Sequence, residues 1–365
     1  MTRPVAAAQA PTRAGAARGA PRRGLVLGGG GMLGAAWTVG ALCAVEEATG
    51  WRPGDADVLL GTSAGSILGA LLAAGVPADQ LRDHQRGLPL TEGPLAGVAF
   101  DYETAVGGAL PPRPRAGIGS PGLLRDAVRH PREYPLLTMV SAVAPHGRGS
   151  LAPVGALVGD LHGPGDWPAG SPLRVAAVDY RSGRRVVFGD PDAPAVAIAD
   201  AVMASCAIPG WFAPVRLNGS AYVDGGCWSA TNADLLLGRG LDEAYVLAPM
   251  ALRLRPRGDR ADRADRSDRA DRADRGTLAA LQEWRARDRP RGVLAQLVSR
   301  YRRAVTRQLL REAALLRAEG VRVRLLAPTP ADLVAMGPNM MDPARRGAVL
   351  ESALRTSREA LAAAR

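Results

Sequence analysis

Short apolar runs alternate along the chain with segments whose apolar residues recur at helical spacing. The runs predict buried strands, and the helical spacing predicts a helix beginning near Leu33 and further helices over 66–74, 198–207 and 293–309. The predicted strands span residues 24–27, 57–60, 173–178, 185–188, 221–223, 244–247 and 321–326. Alternating strands and helices predict an α/β layered fold with a central, mostly parallel sheet, which the C-terminal strand rejoins.

One low-complexity segment precedes this domain, and a second interrupts it. Residues 1–23 contain Ala, Arg, Pro and Gly with almost no large apolar side chain, which predicts a disordered tail. Residues 258–276 contain Asp-Arg pairs at period three, spaced by Ala or Ser, which predicts a solvated linker over residues 251–276. We therefore expect a main domain over 24–250, with residues 277–365 adding helices and a closing strand to it.

The segment 78–170 is rich in Pro and Gly, shows weak periodicity and contains all four histidines of the chain. It predicts irregular helices and loops that cover a site.

An uncharged run of 22 residues, 24–45, follows Arg22 and Arg23 and imitates a twin-arginine signal or a membrane span. Four consecutive glycines, Gly28–Gly31, argue against one continuous helix, because glycine is costly in a helix interior. A strand, a glycine loop and a helix explain the run better.

The formal charge is +11, from 46 basic residues that are all Arg and 35 acidic ones. Aromatic content of 4% and the absence of zinc-finger or RNA-binding signatures argue against nucleic-acid binding. Surplus Arg suits peripheral contact with an anionic membrane surface. Three scattered cysteines predict neither disulfides nor a zinc site and suit a reducing, cytoplasmic location.

Two glycine motifs follow the first two predicted strands. Gly29-x-Gly31-x-x-Gly34 matches a dinucleotide fingerprint, or a loop that presents backbone N–H groups to a developing negative charge. Gly61-Thr62-Ser63-Ala64-Gly65 matches the nucleophile elbow, in which small neighbours let a strand-to-helix turn expose a serine oxygen.

An activated serine needs a base. The chain order Ser–acid–His is excluded for a triad that uses Asp224, because the last histidine is His162. His84, His130 and His146 also lie in the irregular segment. Asp224, which ends a predicted strand before Gly225 and Gly226, is the remaining candidate, although an Asp-Gly-Gly sequence is also an ordinary turn.

Together these motifs resemble, in order and spacing, those of the patatin-like phospholipase family. The 204–209 segment Ala-Ser-Cys-Ala-Ile-Pro, with Phe212, Pro214 and Asn232, also matches the family pattern. The resemblance covers about residues 24–250 and implies a three-layer patatin-like fold for this catalytic domain. One position departs from the pattern: Leu33 stands where the family usually has a basic residue.

The resemblance implies a Ser–Asp dyad acting on lipid acyl esters. Ser63 would be the nucleophile and Asp224 the general base. The oxyanion hole would be formed by the backbone N–H groups of Gly29, Gly30 and Gly31, with that of Ala64. The supporting motif positions are Gly34, Gly61, Gly65, Gly225 and Gly226.

We therefore expect a lipid acyl hydrolase of the phospholipase A or lysophospholipase kind that uses no metal and no cofactor. Three alternatives stay open at this point: a short-chain carboxylesterase, a non-catalytic lipid-binding protein with the same fold, and a nucleotide-dependent oxidoreductase that uses the glycine loop.

Overall fold

The computed structural model describes residues 20–98, 100–103, 110, 112–165, 167–253 and 293–363. The first 19 residues of the predicted tail, and the predicted linker from residue 254 onward, lie outside the described residues.

An eight-stranded mixed sheet forms the centre of the protein. The strands are β1 (Arg23–Leu27), β2 (Val58–Thr62), β3 (Leu173–Asp179), β4 (Arg185–Phe188), β5 (Val215–Leu217), β6 (Ser220–Asp224), β7 (Glu243–Leu247) and β8 (Arg322–Leu326). Their order is β5-β6-β3-β2-β1-β7-β8, and β4 pairs with β3. Five neighbouring strands of the sheet run parallel to one another, in the order β3, β2, β1, β7 and β8. Strands β4, β5 and β6 form antiparallel pairs. The predicted α/β fold with a mostly parallel sheet is confirmed.

Helices cover both faces of this sheet. They are α1 (Gly31–Thr49), α2 (Ala64–Ala73), α3 (Ala78–Gln85), α4 (Pro121–Arg129), α5 (Leu136–Val143), α6 (Ala152–His162), α7 (Ile198–Cys206), α8 (Val293–Ala318), α9 (Pro330–Met336) and α10 (Arg346–Ala362). In β1, Leu25 and Leu27 pack with α1, α2 and α7, whereas Val26 packs on the opposite face with α8. This alternation within a fully buried strand produces three layers.

The ordered domain begins before residue 24, so the predicted end of the tail is wrong. Arg23 is the first residue of β1, and its N–H donates to Asp57 at 2.7 Å. The backbone N–H of Arg22 donates to Asp242 at 2.8 Å. The two arginines therefore belong to the fold because acidic residues at the ends of neighbouring strands bind them.

The uncharged run 24–45 divides as expected into β1, a glycine loop and α1. Helix α1 begins at Gly31, two residues before the predicted start, and the three-residue strand β5 was not predicted. In the described part of the chain, no helix has the length and apolarity needed to cross a membrane.

A buried carboxylate joins the last two helices, which support the loop at 337–341. Asp332, fully buried in α9, accepts hydrogen bonds from Ser352 Oγ at 2.6 Å and Thr356 Oγ1 at 2.9 Å, both on α10. It also accepts from the N–H and hydroxyl of Thr329, both at 2.8 Å. Removing one buried partner of such a network leaves the others unpaired.

We predict that Asp332→Ala lowers the free energy of unfolding by about 2–4 kcal/mol, because it leaves several buried donors without an acceptor. Asp342→Ala is the matched control, since this carboxylate near the surface accepts the Ala344 N–H and pairs with Arg345. Urea denaturation of both variants measures the difference. Equal, small losses would show that the buried network does not hold the two helices together.

Candidate active site

Ser63 occupies a sharp turn between β2 and α2. Its φ is 52° and ψ is −128°, a conformation that non-glycine residues rarely adopt. The turn requires close backbone approach: a Cβ on Gly65 would lie 2.0 Å from the Leu27 carbonyl oxygen, and one on Gly61 would lie 2.4 Å from Ser66 Cα. The predicted elbow geometry is therefore present, with both glycines required by space.

Ser205, on α7, fixes the backbone of this turn. Its hydroxyl accepts a hydrogen bond from the Ser63 N–H at 2.8 Å and donates to the Ala176 carbonyl at 2.7 Å. Ser205 belongs to the matched 204–209 segment, and its position shows what that segment does locally: it joins the elbow to β3.

The sheet register brings Asp224 to the level of Ser63. Thr62 pairs with Ala176 of β3, and the next residue of β3, Ala177, pairs with Asp224. Antiparallel β6 pairs with residues 177–179 of β3. Its C-terminal end therefore lies level with the end of β2, on the other side of β3. A Cβ on Gly225 would lie 2.3 Å from the Ala176 carbonyl oxygen, so this close approach requires glycine.

Asp224 is a buried carboxylate with a raised pKa. Burial raises the pKa of this carboxyl group to about 6. The Ser63 side chain and the Gly226 N–H act in the opposite direction, but their effect on the pKa is smaller than that of burial. The Gly226 N–H lies 2.6 Å from Asp224 Oδ1. A carboxylate with this pKa is ionised at neutral pH and is a better proton acceptor than an exposed one.

Near Ser63, the backbone N–H groups of Gly30, Gly31 and Ala64 have no partner in the described chain. They lie at the N-terminal ends of α1 and α2, where helical N–H groups have no intrahelical acceptor. Gly29 differs, because its N–H donates to the Ala230 carbonyl at 2.8 Å. The Gly29 N–H, which we expected to be an oxyanion donor, therefore already has an acceptor in this structure. Gly29 also leaves space for the serine, because a Cβ there would lie 3.1 Å from Ser63 Cβ.

Two cavities meet at Ser63. The first is apolar and extends along α2, where Ala64, Ile67, Leu68 and Leu71 line it. The second is more open and lies beside the glycine loop, with Asp224 in its wall. Further residues of both walls come from the 78–170 segment, including Leu137, Val140, Leu151, Val154 and Leu157. This segment therefore forms walls of both cavities at the site, as its sequence led us to expect.

The four histidines do not contact Ser63 or Asp224. His84 Nδ1 lies 2.6 Å from Tyr102 Oη, and the Nε2 atoms of His146 and His162 lie 2.8 Å from the Gly119 and Ala70 carbonyls. His130 lies near Glu133 at the surface. Asp224, by contrast, lines the same cavity as Ser63.

A sequence model described as patatin-like phospholipase matches residues 25–237, more than half of the chain. The chain belongs to the patatin-like phospholipase family. Among solved structures it is similar to VipD from Legionella pneumophila, with 14% identity over 94% of this chain and 67% of that chain and a TM-score of 0.38. No curated protein gives a significant match.

The family's usual basic residue is replaced here by a core residue. Leu33 is fully buried between the helices and the sheet, and its N–H donates to the Met340 carbonyl at 3.0 Å. The loop at 337–341 thereby holds the first turn of α1. Sequence reasoning missed this contact, because Met340 lies about 300 positions from the glycine loop.

A buried cation lies behind this loop. Arg302 of α8 is 4% exposed and donates to the Pro249 carbonyl at 2.9 Å and to the sulfurs of Met336 and Met340 at 3.3 and 3.2 Å. Pro249 in turn packs against Gly30 and Gly34. Burial lowers the pKa of Arg302 to about 10, so it remains charged at neutral pH, and no carboxylate in the described chain pairs with it.

We predict that Asp224→Asn raises the free energy of unfolding at pH 7.5 by about 1–3 kcal/mol, since a neutral amide avoids the cost of burying the charge. The pKa of Asp224 is higher in the folded state than in the unfolded state. Its protonated form therefore stabilises the folded state fully at a pH below the unfolded-state pKa, and this stabilisation is lost as the pH rises through about 6. The advantage of the variant should therefore vanish near pH 4. Urea denaturation at both pH values tests this, and an Asn variant that is less stable at pH 7.5 would contradict it.

Proposed function

We propose that this protein hydrolyses lipid acyl esters, as a phospholipase A or lysophospholipase-like enzyme, through a Ser63–Asp224 dyad. The observation that carries the proposal is a strained serine that shares a cavity wall with a buried carboxylate of raised pKa, beside unpaired N–H groups. Family membership supports the reaction class, and the two cavities at Ser63 support an ester with an apolar acyl chain.

In the first half-reaction, Ser63 Oγ attacks the ester carbonyl carbon while Asp224 takes the hydroxyl proton. Negative charge develops on the carbonyl oxygen. The N–H groups of Gly30, Gly31 and Ala64 would stabilise that charge, helped by the dipoles of α1 and α2. The intermediate then expels the alcohol, which receives the proton from Asp224, and leaves an acyl-serine.

In the second half-reaction, Asp224 removes a proton from water, whose oxygen attacks the acyl-serine. The second tetrahedral intermediate forms on the same N–H groups and releases the fatty acid, and Asp224 returns the proton to Ser63 Oγ. One water is consumed per ester and the enzyme is regenerated.

The apolar cavity suits the acyl chain, and the open cavity suits the alcohol. The acyl-side wall of α2 from Ala64 to Leu71 extends about two helical turns, or roughly 10 Å. The second cavity contains the polar side chains of Asn339, Tyr301 and Ser141 and opens outward, which suits a head group that must leave.

Arg302 gives the glycine loop an electropositive support. An unpaired buried cation is costly to a fold, whereas it stabilises a negative charge that develops nearby in a low-dielectric site. Through Pro249 and Met340, Arg302 also holds the backbone that presents the N–H groups of Gly30 and Gly31. We propose that it is a positioning residue for the oxyanion.

We also propose that α5 contacts a lipid surface. Val140 and Val143 of this helix are 53% and 49% exposed, and Leu137, Val140 and Ala144 line the open cavity. Apolar side chains beside the mouth of the site would enter the interface, and the surplus of Arg would add attraction to anionic head groups.

The central test is hydrolysis of p-nitrophenyl esters of increasing acyl length by the wild type, Ser63→Ala and Asp224→Ala. We expect both substitutions to reduce kcat by at least about 10³-fold, since each removes a member of one catalytic unit. Ser150→Ala, an exposed serine outside both cavities, should leave the rate unchanged.

The same assay separates the alternatives. A rate that falls steeply beyond butyrate favours a short-chain carboxylesterase. A Ser63→Ala variant as active as the wild type overturns the nucleophile assignment. No turnover of esters or phospholipid vesicles, and no labelling of Ser63 by a fluorophosphonate, favours the non-catalytic lipid-binding protein.

We predict that Arg302→Met lowers kcat about tenfold with little change in KM, because it removes stabilisation felt mainly in the transition state. The unfolding free energy should not fall in proportion, since Met removes the cost of a buried charge. Arg307→Met, on the exposed side of the same helix, is the matched control. Unchanged kcat in Arg302→Met would remove the residue from the mechanism.

We predict that the double variant Val140→Asp, Val143→Asp loses co-flotation with phosphatidylglycerol vesicles and most vesicle hydrolysis, while its rate on soluble p-nitrophenyl butyrate is kept. Charged side chains resist insertion into the interface but leave the dyad intact. Wild-type protein that never co-floats with anionic vesicles would exclude the proposed contact.

A further inference from the structure

The acyl-side cavity contains a polar side chain, that of Gln85, whose amide oxygen is used neither by the reaction nor by a neighbouring group of the described chain. Gln85, the last residue of α3, is 5% exposed and lines this cavity together with Met32, Ala35 and Phe100. Its Oε1 atom is buried and has no hydrogen-bond partner among the described residues. Buried amide groups are nearly always paired, so this atom calls for an explanation.

The other polar groups of the cavity are accounted for. Ser63 is the proposed nucleophile, and Tyr102 Oη is hydrogen-bonded to His84 at 2.6 Å. The guanidinium of Arg346 lies 3.9 Å above the Tyr102 ring, which also fixes that side chain. Gln85 is therefore the polar group of this wall left to bind something that enters the cavity.

The chemistry of an amide limits what that ligand can be. The terminal torsion of Gln is soft, so the amide can present either its oxygen or its nitrogen to the cavity. A hydroxyl both donates and accepts, and so it pairs with the amide in either orientation. No Arg, Asp or Glu is among the described residues that line the cavity, so a neutral ligand group suits this wall better than an ionised one.

We propose that the cavity selects acyl chains that carry a hydroxyl group, which hydrogen-bonds to Gln85. This rests on the proposed function, since it takes the cavity as the acyl site of Ser63. The substrate class is thus esters of hydroxylated fatty acids. An acyl chain without a hydroxyl group still enters the cavity but leaves the buried amide unpaired. The missing hydrogen bond weakens its binding relative to that of a hydroxylated chain.

Binding to the Ser63→Ala variant tests this without turnover. Calorimetry with methyl octanoate and with its 3-, 6- and 8-hydroxy derivatives measures Kd for each ester. Because the amide has a fixed place, we expect one hydroxylated isomer to bind about tenfold more tightly than methyl octanoate, the effect of one neutral hydrogen bond.

The double variant Ser63→Ala, Gln85→Met should lose that preference and bind methyl octanoate as well as before or better. Ser63→Ala, Gln80→Met is the control: Gln80 is on the same helix, outside the cavity, and its Nε2 donates to the Glu92 carbonyl. It should keep the preference.

Two results would overturn the inference: no hydroxylated isomer binds more tightly than methyl octanoate, or the preference persists with Met at position 85. The first comparison needs no change at Gln85, so it decides the matter even if the Met variant folds poorly. A preference in binding with no hydrolysis by the wild type would instead reject the proposed esterase function.

Discussion

The burial of the Asp224 carboxylate beside Ser63 is the constraint on which the rest of the site depends. Taking a carboxylate out of water is unfavourable, and the raised pKa of Asp224 expresses that cost. The Gly226 N–H and the nearby Ser63 side chain offset part of this cost. A carboxylate whose charge is fully compensated by partners would destabilise the fold less, but it would be a weaker proton acceptor.

This arrangement requires three pieces of backbone to approach more closely than side chains allow. A Cβ at position 65 would overlap the end of β1, and one at position 225 would overlap β3. Gly29 leaves room for Ser63 itself. Glycine at these three positions follows from space within the layered fold, whereas Gly31 is needed for its backbone conformation, with φ of 60°.

The C-terminal part of the chain, beyond the residues that match the family model, completes the site from behind. β8 pairs with β7 and extends the sheet, and the loop at 337–341 accepts the Leu33 N–H. Asp332 joins the two helices that flank this loop, and Arg302 links Pro249 to Met340. The glycine loop and the first turn of α1, which lie in the matched region, are therefore held by residues outside it.

The sequence by itself determined the layered fold, because apolar runs and helical spacing are local signals. It also determined the elbow and the Asp-Gly-Gly turn, since glycine spacing reports the close approaches that such turns need. It could not determine which amides are unpaired: Gly29 and Gly30 are chemically identical, and only the Ala230 carbonyl, 200 positions away, distinguishes them. Nor does any local pattern distinguish Arg302 and Gln85 from surface residues on their helices. Their burial, and with it the cost of an unpaired charge or amide, arises only when distant helices pack against one cavity and one glycine loop.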